Sequence, residues 1–506
     1  MKENHSGSIN FPERLFYLFF LLCIFVIAIF IRLPYVFVQR LWPDEALYAW
    51  AAKRIFSHPE LIFSKEISDF HPPLFPALLS FWHFFFPPLV ACHWMVFVTN
   101  VLGIIAVYFL GKKIQGWFLG VFAAMALAFN PQYFIMSSLI LNDGVLAVSM
   151  IIFFYILAEI HQRQISRPDF YLGIMVIVLI LLKWSGGLVL PFLFFYYLLA
   201  FPDFAIRERL RKMVVPITLA IVLVGILLWH NYMISGDWIP KVFRVSNNDY
   251  RYPFFYYCYF LKDNIISVPF VPFFIFGLWN SLQSDNRNQW AQGFWVIFAF
   301  LVVSAMPNKD IRFILPLLPS IVLVTGMGIE AFLLEVEKVI ISPIMRPMCL
   351  MLIFLFFAVF TFPFIEQNMI SRAYGYVGFQ EAGVYLKKEI VRSPDTLVLA
   401  SSPRIIRYYS DINFIEFGGN LSCIPENEAD FINIIRNASS DVILIIDAWE
   451  WAQPKWIFSS TDSNNKIFKE LGFHLERIID KDVRIMSDKF AKRTVVWISK
   501  RYLKGR

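Results

Sequence analysis

A chain of 506 residues in which 58% are apolar, 56 are Phe and only 16% are charged is too apolar for a soluble globular domain. Several stretches reach the roughly 20 apolar residues that a bilayer span needs, so the chain reads as a polytopic membrane protein. The net charge of +7 suits an anionic membrane surface and an anionic lipid ligand, and nothing in the pattern points to nucleic acid.

The first apolar run, residues 15–33, is too long and too Phe-rich for a secretory signal. No small-residue cleavage site follows it, so it reads as a retained span. A long loop, 34–88, comes next and holds two helix starts. In "RLWPDEALYAW" (Arg40–Trp50), Pro43 suits the first helical position, and Asp44 and Glu45 occupy a first turn that favours acids. The same acids would lie near the membrane interface, where ionisable groups are costly unless used. A plain helix start and a functional site are therefore both open there. In "SDFHPPLF" (Ser68–Phe75), Asp69 and His71 precede a double proline and an apolar helix, again a capped start. Together the two starts predict juxtamembrane helices along the outer face.

Ten more apolar runs centre on 89–110, 117–134, 143–160, 170–183, 185–200, 214–233, 264–282, 290–304, 313–332 and 348–366, giving about eleven spans. The fifth and sixth are short and separated by the tight turn "KWSGG". With the N-terminus inside, the basic segments "GKKIQG", "HQRQISRPD", "IRERLRK" and "EVEKVIISPIMR" all fall on the cytoplasmic side. The long loops rich in Pro, aromatics and acids then fall outside, where function is expected. Composition changes sharply near residue 371. "TLVLAS", "VILIIDA" and "TVVWIS" read as strands, while "FQEAGVYLKKEI" and "NEADFINIIRN" read as helices. The expected organisation is a mostly α transmembrane domain, 1–370, followed by a small extracytoplasmic α/β domain, 371–506, with no Gly-rich phosphate loop. The five cysteines lie far apart without metal-ligand spacing and read as small buried hydrophobes.

The order of five short elements resembles a known family. The Asp44-Glu45 pair and the "HPPL" element open it; "LILNDGVLAVSMIIFFYILAE" then puts Asp143 at the outer end of the fourth span. "LLKWSGGLVLP" carries a Lys-Trp-x-Gly turn at Lys183, and "NKDIRFILPLLP" carries an Arg-Phe-x-Leu-Pro element at Arg312. This set resembles the membrane glycosyltransferases of the GT-C fold. The similar branch is that of protein O-mannosyltransferases and of the aminoarabinose or galacturonic acid transferases of lipid A. The resemblance covers roughly residues 12–365. Phe70 and His71 stand where the aminoarabinose branch has Glu-Lys, so that lysine is not available here, and the tail matches no familiar module.

The resemblance implies an inverting transfer of a monosaccharide from a polyprenyl-phosphate carrier to a hydroxyl of a glycolipid, a cell-surface glycan or a protein. The location it implies is the outer face of the plasma membrane. The hydroxyl must lose a proton as the bond forms, and a carboxylate within reach supplies about 10²–10⁴-fold. Asp44 is the candidate base, with Glu45 or Asp143 orienting the acceptor. The departing lipid phosphate needs charge stabilisation more than protonation. Lys183, Lys309, Arg312, His71 and Arg251 are the candidate cations, against snorkelling lysines and a capping histidine as the plain alternatives. No cofactor is certain; Asp44 and Glu45 could hold Mg²⁺ or Mn²⁺, although no dedicated ligand cluster is visible. The loop "SNNDYRYPFFYYCYFLKD" (Ser246–Asp263) reads either as an interfacial aromatic belt or as a lid over the donor. In "IDAWEWAQPKW" (Ile446–Trp456), three Trp follow a strand and either pack or stack on a glycan. The competing function is a transporter or lipid-linked sugar flippase, which would place ionisable groups in mid-span rather than at one face. A scaffold with a partner-binding tail is the third reading, and it leaves the ordered motifs unexplained.

Overall fold

The computed structural model of the protein describes residues 11–36, 40–64, 67, 71–161, 168–201, 205–238, 253–260, 266–306, 309–339, 345–373, 376–392, 395–412, 423–447, 454, 456–457, 466–485 and 489–502. It divides into two units. One comprises Met1–Phe37 and Arg54–Asn368; the other comprises Val38–Lys53 and Met369–Arg506.

Helices dominate the chain up to residue 373. In order they are α1 (Phe11–Val36), α2 (Pro43–Ser57), α3 (Leu74–Trp82), α4 (Pro88–Gln115), α5 (Trp117–Ala128), α6 (Pro131–Met136), α7 (Asn142–His161) and α8 (Pro168–Leu182). There follow α9 (Val189–Leu199), α10 (Ile206–Ser235), α11 (Tyr256–Phe260), α12 (Val271–Gln283), α13 (Arg287–Ala305), α14 (Leu318–Glu337), α15 (Met345–Phe356) and α16 (Phe362–Ala373). Among the described residues, six helical stretches are long and apolar enough to cross a membrane: Phe11–Val36, Pro88–Gln115, Asn142–Ile160, Ile206–Ser235, Ile311–Glu337 and Met345–Met369. Shorter apolar helices cover Trp117–Ala128, Asp169–Leu182, Trp184–Leu199 and Val268–Gln283. Each apolar run read from the sequence falls on one of these or on α13. This is a multi-pass membrane protein.

The third run is shorter as a helix than its hydropathy predicts. Pro131 has no N–H to donate, so α5 stops and α6 restarts under an Asn130 cap that accepts from the Tyr133 N–H at 3.1 Å. Packing follows membrane rules. Along α1, Leu15, Phe19, Leu22, Val26 and Phe30 form an exposed apolar stripe at helical spacing, as a lipid-facing surface requires. Helix α14 is almost wholly buried and meets α12 at two glycines. A Cβ on Gly277 would lie 1.9 Å from the Val324 carbonyl oxygen, and one on Gly328 would lie 1.9 Å from that of Phe273. Only small residues allow two backbones so close.

The second unit holds α17 (Phe379–Arg392), β1 (Leu397–Ala400), α18 (Pro403–Ser410), α19 (Glu428–Asn437), β2 (Val442–Asp447), α20 (Lys466–Glu470), β3 (His474–Ile485) and β4 (Lys489–Arg501). The sheet order is β1-β2-β4-β3. Strand β1 runs parallel to β2, starting Leu397↔Val442, and α19 lies in the crossover between them. Strands β2 and β4 are antiparallel from Val442↔Arg501, and β3 closes a hairpin on β4. Leu399, Ile424, Phe431, Ile435, Leu444, Ile446 and Phe473 form the core. The predicted strands and helices of the tail all form. Strand β3 and helices α18 and α20 are additions, and the first ten residues of α2 that follow Pro43 group with this unit.

Candidate active site

The two acids at the start of α2 have different tasks. Trp42 is the N-cap: its carbonyl accepts the first helical bond from the Ala46 N–H at 2.8 Å. Glu45 stands three positions on, is fully buried, and its Oε2 accepts from the Trp42 N–H at 3.1 Å. That is the acidic half of a capping box. Asp44 remains half-exposed, and its Oδ1 accepts from Arg404 Nη1 of α18 at 2.9 Å. The helix start is therefore held by Glu45, and Asp44 is held from across the unit.

More contacts fix α2 in place. Arg407 lies over the buried Trp50 ring at 5.0 Å. Asp411 accepts from Lys53 at 2.5 Å and from Lys387 at 2.9 Å, and Arg40 and Lys481 both face Glu381. Trp42 meets Tyr376 edge-on at 5.2 Å. Burial pushes the Tyr376 phenol up, and the carboxylates of Asp447 and Asp44 push it the same way, so it is a neutral O–H at working pH. Asp447 is buried at the C-terminal end of β2, the end at which α/β sheets generally place ligands.

The membrane unit has its own polar centre. Asp143, in the first turn of α7, is buried and forms an ion pair with Lys183 Nζ. Its neighbour Asn142 donates to the Leu182 carbonyl at 3.0 Å, which ties the start of α7 to the end of α8. The Lys183 ammonium also lies 5.2 Å from the Phe313 ring centroid. The "ND", "KW" and "RF" elements, far apart in sequence, thus meet through three side chains. Arg312, next to Phe313, is tied to Asp310 twice: its N–H donates to Oδ1 at 3.0 Å, and its Nε pairs with Oδ2 at 3.0 Å. Tyr257 donates to the Asp310 carbonyl at 3.2 Å, and burial together with Asp310 pushes its phenol up. Lys309 is buried. His71 lines a pocket of about 320 Å³ with Phe63, Trp184, His230 and Asn231, so the "HPPL" element adjoins the residue that follows Lys183. The His230 ring bonds the Phe63 carbonyl.

Arg251 and Asp69 lie outside the described residues, as does most of the Ser246–Asp263 loop. Of the three tail Trp, Trp456 is described: its Nε1 donates to the Pro425 carbonyl at 3.0 Å, and its ring packs on Phe431. That side chain is core, not a glycan platform. Among the described residues, no three His, Cys, Asp or Glu side chains are grouped to hold a metal. Asp44 is bonded to a guanidinium and the adjacent Glu45 to a backbone N–H. Two residues were missed from the sequence. Arg404 sits in the tail, and Arg32 sits buried in α1. Arg32 donates to Ser137 Oγ at 3.1 Å, to the Ala28 carbonyl at 3.2 Å and to the Ala128 carbonyl at 2.5 Å. An arginine inside an apolar run was the available signal.

A family model described as dolichyl-phosphate-mannose-protein mannosyltransferase matches residues 70–230. An uncharacterized protein of Aquifex aeolicus (strain VF5) is 25% identical over 56% of this chain, and the match spans 58% of that protein's length. Among solved structures, ArnT from Cupriavidus metallidurans in the apo state superposes with a TM-score of 0.63 at 15% identity, covering 94% of this chain and 97% of that one. The same protein bound to undecaprenyl phosphate gives 0.60 at 14% identity, with the same coverage. The archaeal oligosaccharyltransferase AglB from Archaeoglobus fulgidus, in complex with an inhibitory peptide and a dolichol-phosphate, gives 0.63 at 13% identity over 96% and 75%. The chain has the GT-C fold of membrane glycosyltransferases.

Proposed function

We propose that the protein is an inverting glycosyltransferase that moves a monosaccharide from a polyprenyl-phosphate carrier to a hydroxyl acceptor. The observation that carries this reading is the coincidence of fold and site. The GT-C likeness runs over nearly the whole chain, and the family-model match contains His71, Asp143 and Lys183, two of which form the buried ion pair. The relatives solved with undecaprenyl phosphate and dolichol-phosphate support a lipid-phosphate donor. The likeness to transferases favours group transfer over the flippase alternative.

In this account Asp44 takes the proton from the acceptor hydroxyl as its oxygen bonds to the anomeric carbon. The bond from that carbon to the phosphate oxygen breaks, and its electron pair leaves with the lipid phosphate. Lys183, Arg312, Lys309, His71 and Arg251 supply the positive field that stabilises this anion. Asp143 holds Lys183 in place. The acceptor is a glycolipid, a surface glycan or a protein. Reaction occurs on the outer face of the plasma membrane, with the N-terminus cytoplasmic and the tail extracytoplasmic. Glycan analysis of cells producing Asp44→Asn, compared with wild type and a null strain, tests the reading: product is absent from the variant at normal protein level. A full product level in that variant removes Asp44 from the mechanism.

A further inference from the structure

We propose that Arg404 of the tail is a positioning residue for Asp44, so that α2 and the tail domain work as one piece of the transfer machinery; this rests on Asp44 being the base. Arg404 is the second residue of α18, and only 14% of its side chain is exposed. The direction in which α18 leaves β1 is set by Ser402, buried and left-handed at φ 48°, followed by Pro403. A non-glycine residue held there is over-determined by its surroundings. Side chains of this helix and its C-terminal end then reach three positions along α2. Arg404 meets Asp44, Arg407 covers Trp50 one turn later, and Asp411, left-handed at φ 61°, ends α18 on Lys53. The partners rise in the same order on both helices.

That arrangement does something a helix cap does not. Each residue of a helix is turned by about 100° from the last, so a small rotation of α2 swings Asp44 off its target. The Trp50 and Lys53 contacts oppose that rotation, and the bond to Arg404 fixes the carboxylate plane. A guanidinium is suited to this because its donors lie in one rigid plane, whereas a lysine ammonium gives charge without direction. A carboxylate offers about four lone-pair sites, so one bond to Oδ1 is compatible with proton abstraction by the same group. The charged and titratable groups facing Asp44 from the packed elements include Arg404, Tyr376 and, beyond it, Asp447. Among the described residues, Arg404 bonds it directly with a charge.

The test uses full-length protein in cells whose chromosomal copy is deleted, with the surface glycan product quantified against membrane protein level. Expected results are a loss of about tenfold or more for Arg404→Ala and partial recovery in Arg404→Lys. Should Arg404→Ala fail to accumulate, the polar, uncharged Arg404→Gln takes its place. The control Lys387→Ala, which removes one of the two lysines on Asp411, keeps the product within about twofold. Wild-type product from Arg404→Ala or Arg404→Gln, with Asp44→Asn inactive, overturns the positioning role and leaves the base intact. Full product from Asp44→Asn removes the base reading itself. Equal loss in Arg404→Ala and Arg404→Lys reduces Arg404 to a fold contact and also overturns the proposal.

Discussion

Replacing Lys183 by Met isolates the role of the buried ion pair in the membrane unit. The Asp143 side chain is 2% exposed and Lys183 is 17% exposed. Removing the lysine leaves a carboxylate in an apolar site, which costs about 3–5 kcal/mol when one partner of a buried pair is lost. Because Lys183 keeps some access to solvent, the lower end, about 3 kcal/mol, is expected, roughly a hundredfold in the folded-to-unfolded ratio. Loss of the contact with Phe313 adds about 0.5 kcal/mol. The double variant Lys183→Met with Asp143→Asn removes both charges and should return stability to within about 1 kcal/mol of wild type. Transfer should stay strongly reduced in both, since the phosphate then lacks one of its cations. The assay is the fraction of monodisperse protein after heating in detergent, run beside product formation in membranes. The reasoning fails if the double variant recovers transfer along with stability, for then the pair serves the fold alone.

Other outcomes follow from the same geometry. Glu45→Gln keeps an acceptor for the Trp42 N–H and should retain transfer within a few-fold, while Glu45→Ala loses about 1 kcal/mol of helix stability, read as faster proteolysis of α2. Arg32→Met removes the side-chain donor from the Ala128 carbonyl at the end of α5; a buried acceptor left unsatisfied costs about 1–3 kcal/mol, and Arg32→Lys should not restore all three Arg32 bonds because one ammonium cannot span them. Docking of α2 on the tail should weaken in acid. Burial pushes the Asp411 and Glu381 carboxyls up, but the lysines bonded to them more than offset it and hold both below the ordinary range. Groups with lowered values contribute stability above the unfolded value and lose it as pH falls through the folded one. Hydrogen exchange of residues 43–53, taken relative to the unfolded-chain rate at each pH, should therefore be slow at pH 6 and speed up below about pH 4. Lys53→Ala should speed it at pH 6.

The sequence carried the membrane helices because their signal is local: a run of apolar residues has few alternatives in lipid. It also carried the polar elements of the membrane unit, since Asn142-Asp143, Lys183-Trp184 and Arg312-Phe313 each stand at a helix or turn boundary. What it could not carry was pairing at long range. Nothing near Asp44 points to Arg404, 360 residues away, because an ion pair leaves no periodic trace. Strand β3, "HLERIIDKDVRI", escaped because it is an edge strand with charges along much of its length, the usual protection of an open sheet edge. Local rules did recognise Asp44 and Glu45 as a helix start; the division between a capping Glu45 and an Asp44 held by the tail needed coordinates. Arg32 was hidden by its own run, where one basic residue barely lowers the hydropathy.

The central claim is that Asp44 removes the acceptor proton, and one comparison tests it most directly. Surface glycans from cells producing Asp44→Asn, Glu45→Gln or wild-type protein at matched membrane levels are measured by mass spectrometry. The account predicts no detectable product with Asp44→Asn and near-normal product with Glu45→Gln. Normal product with Asp44→Asn, or loss with Glu45→Gln alone, contradicts it.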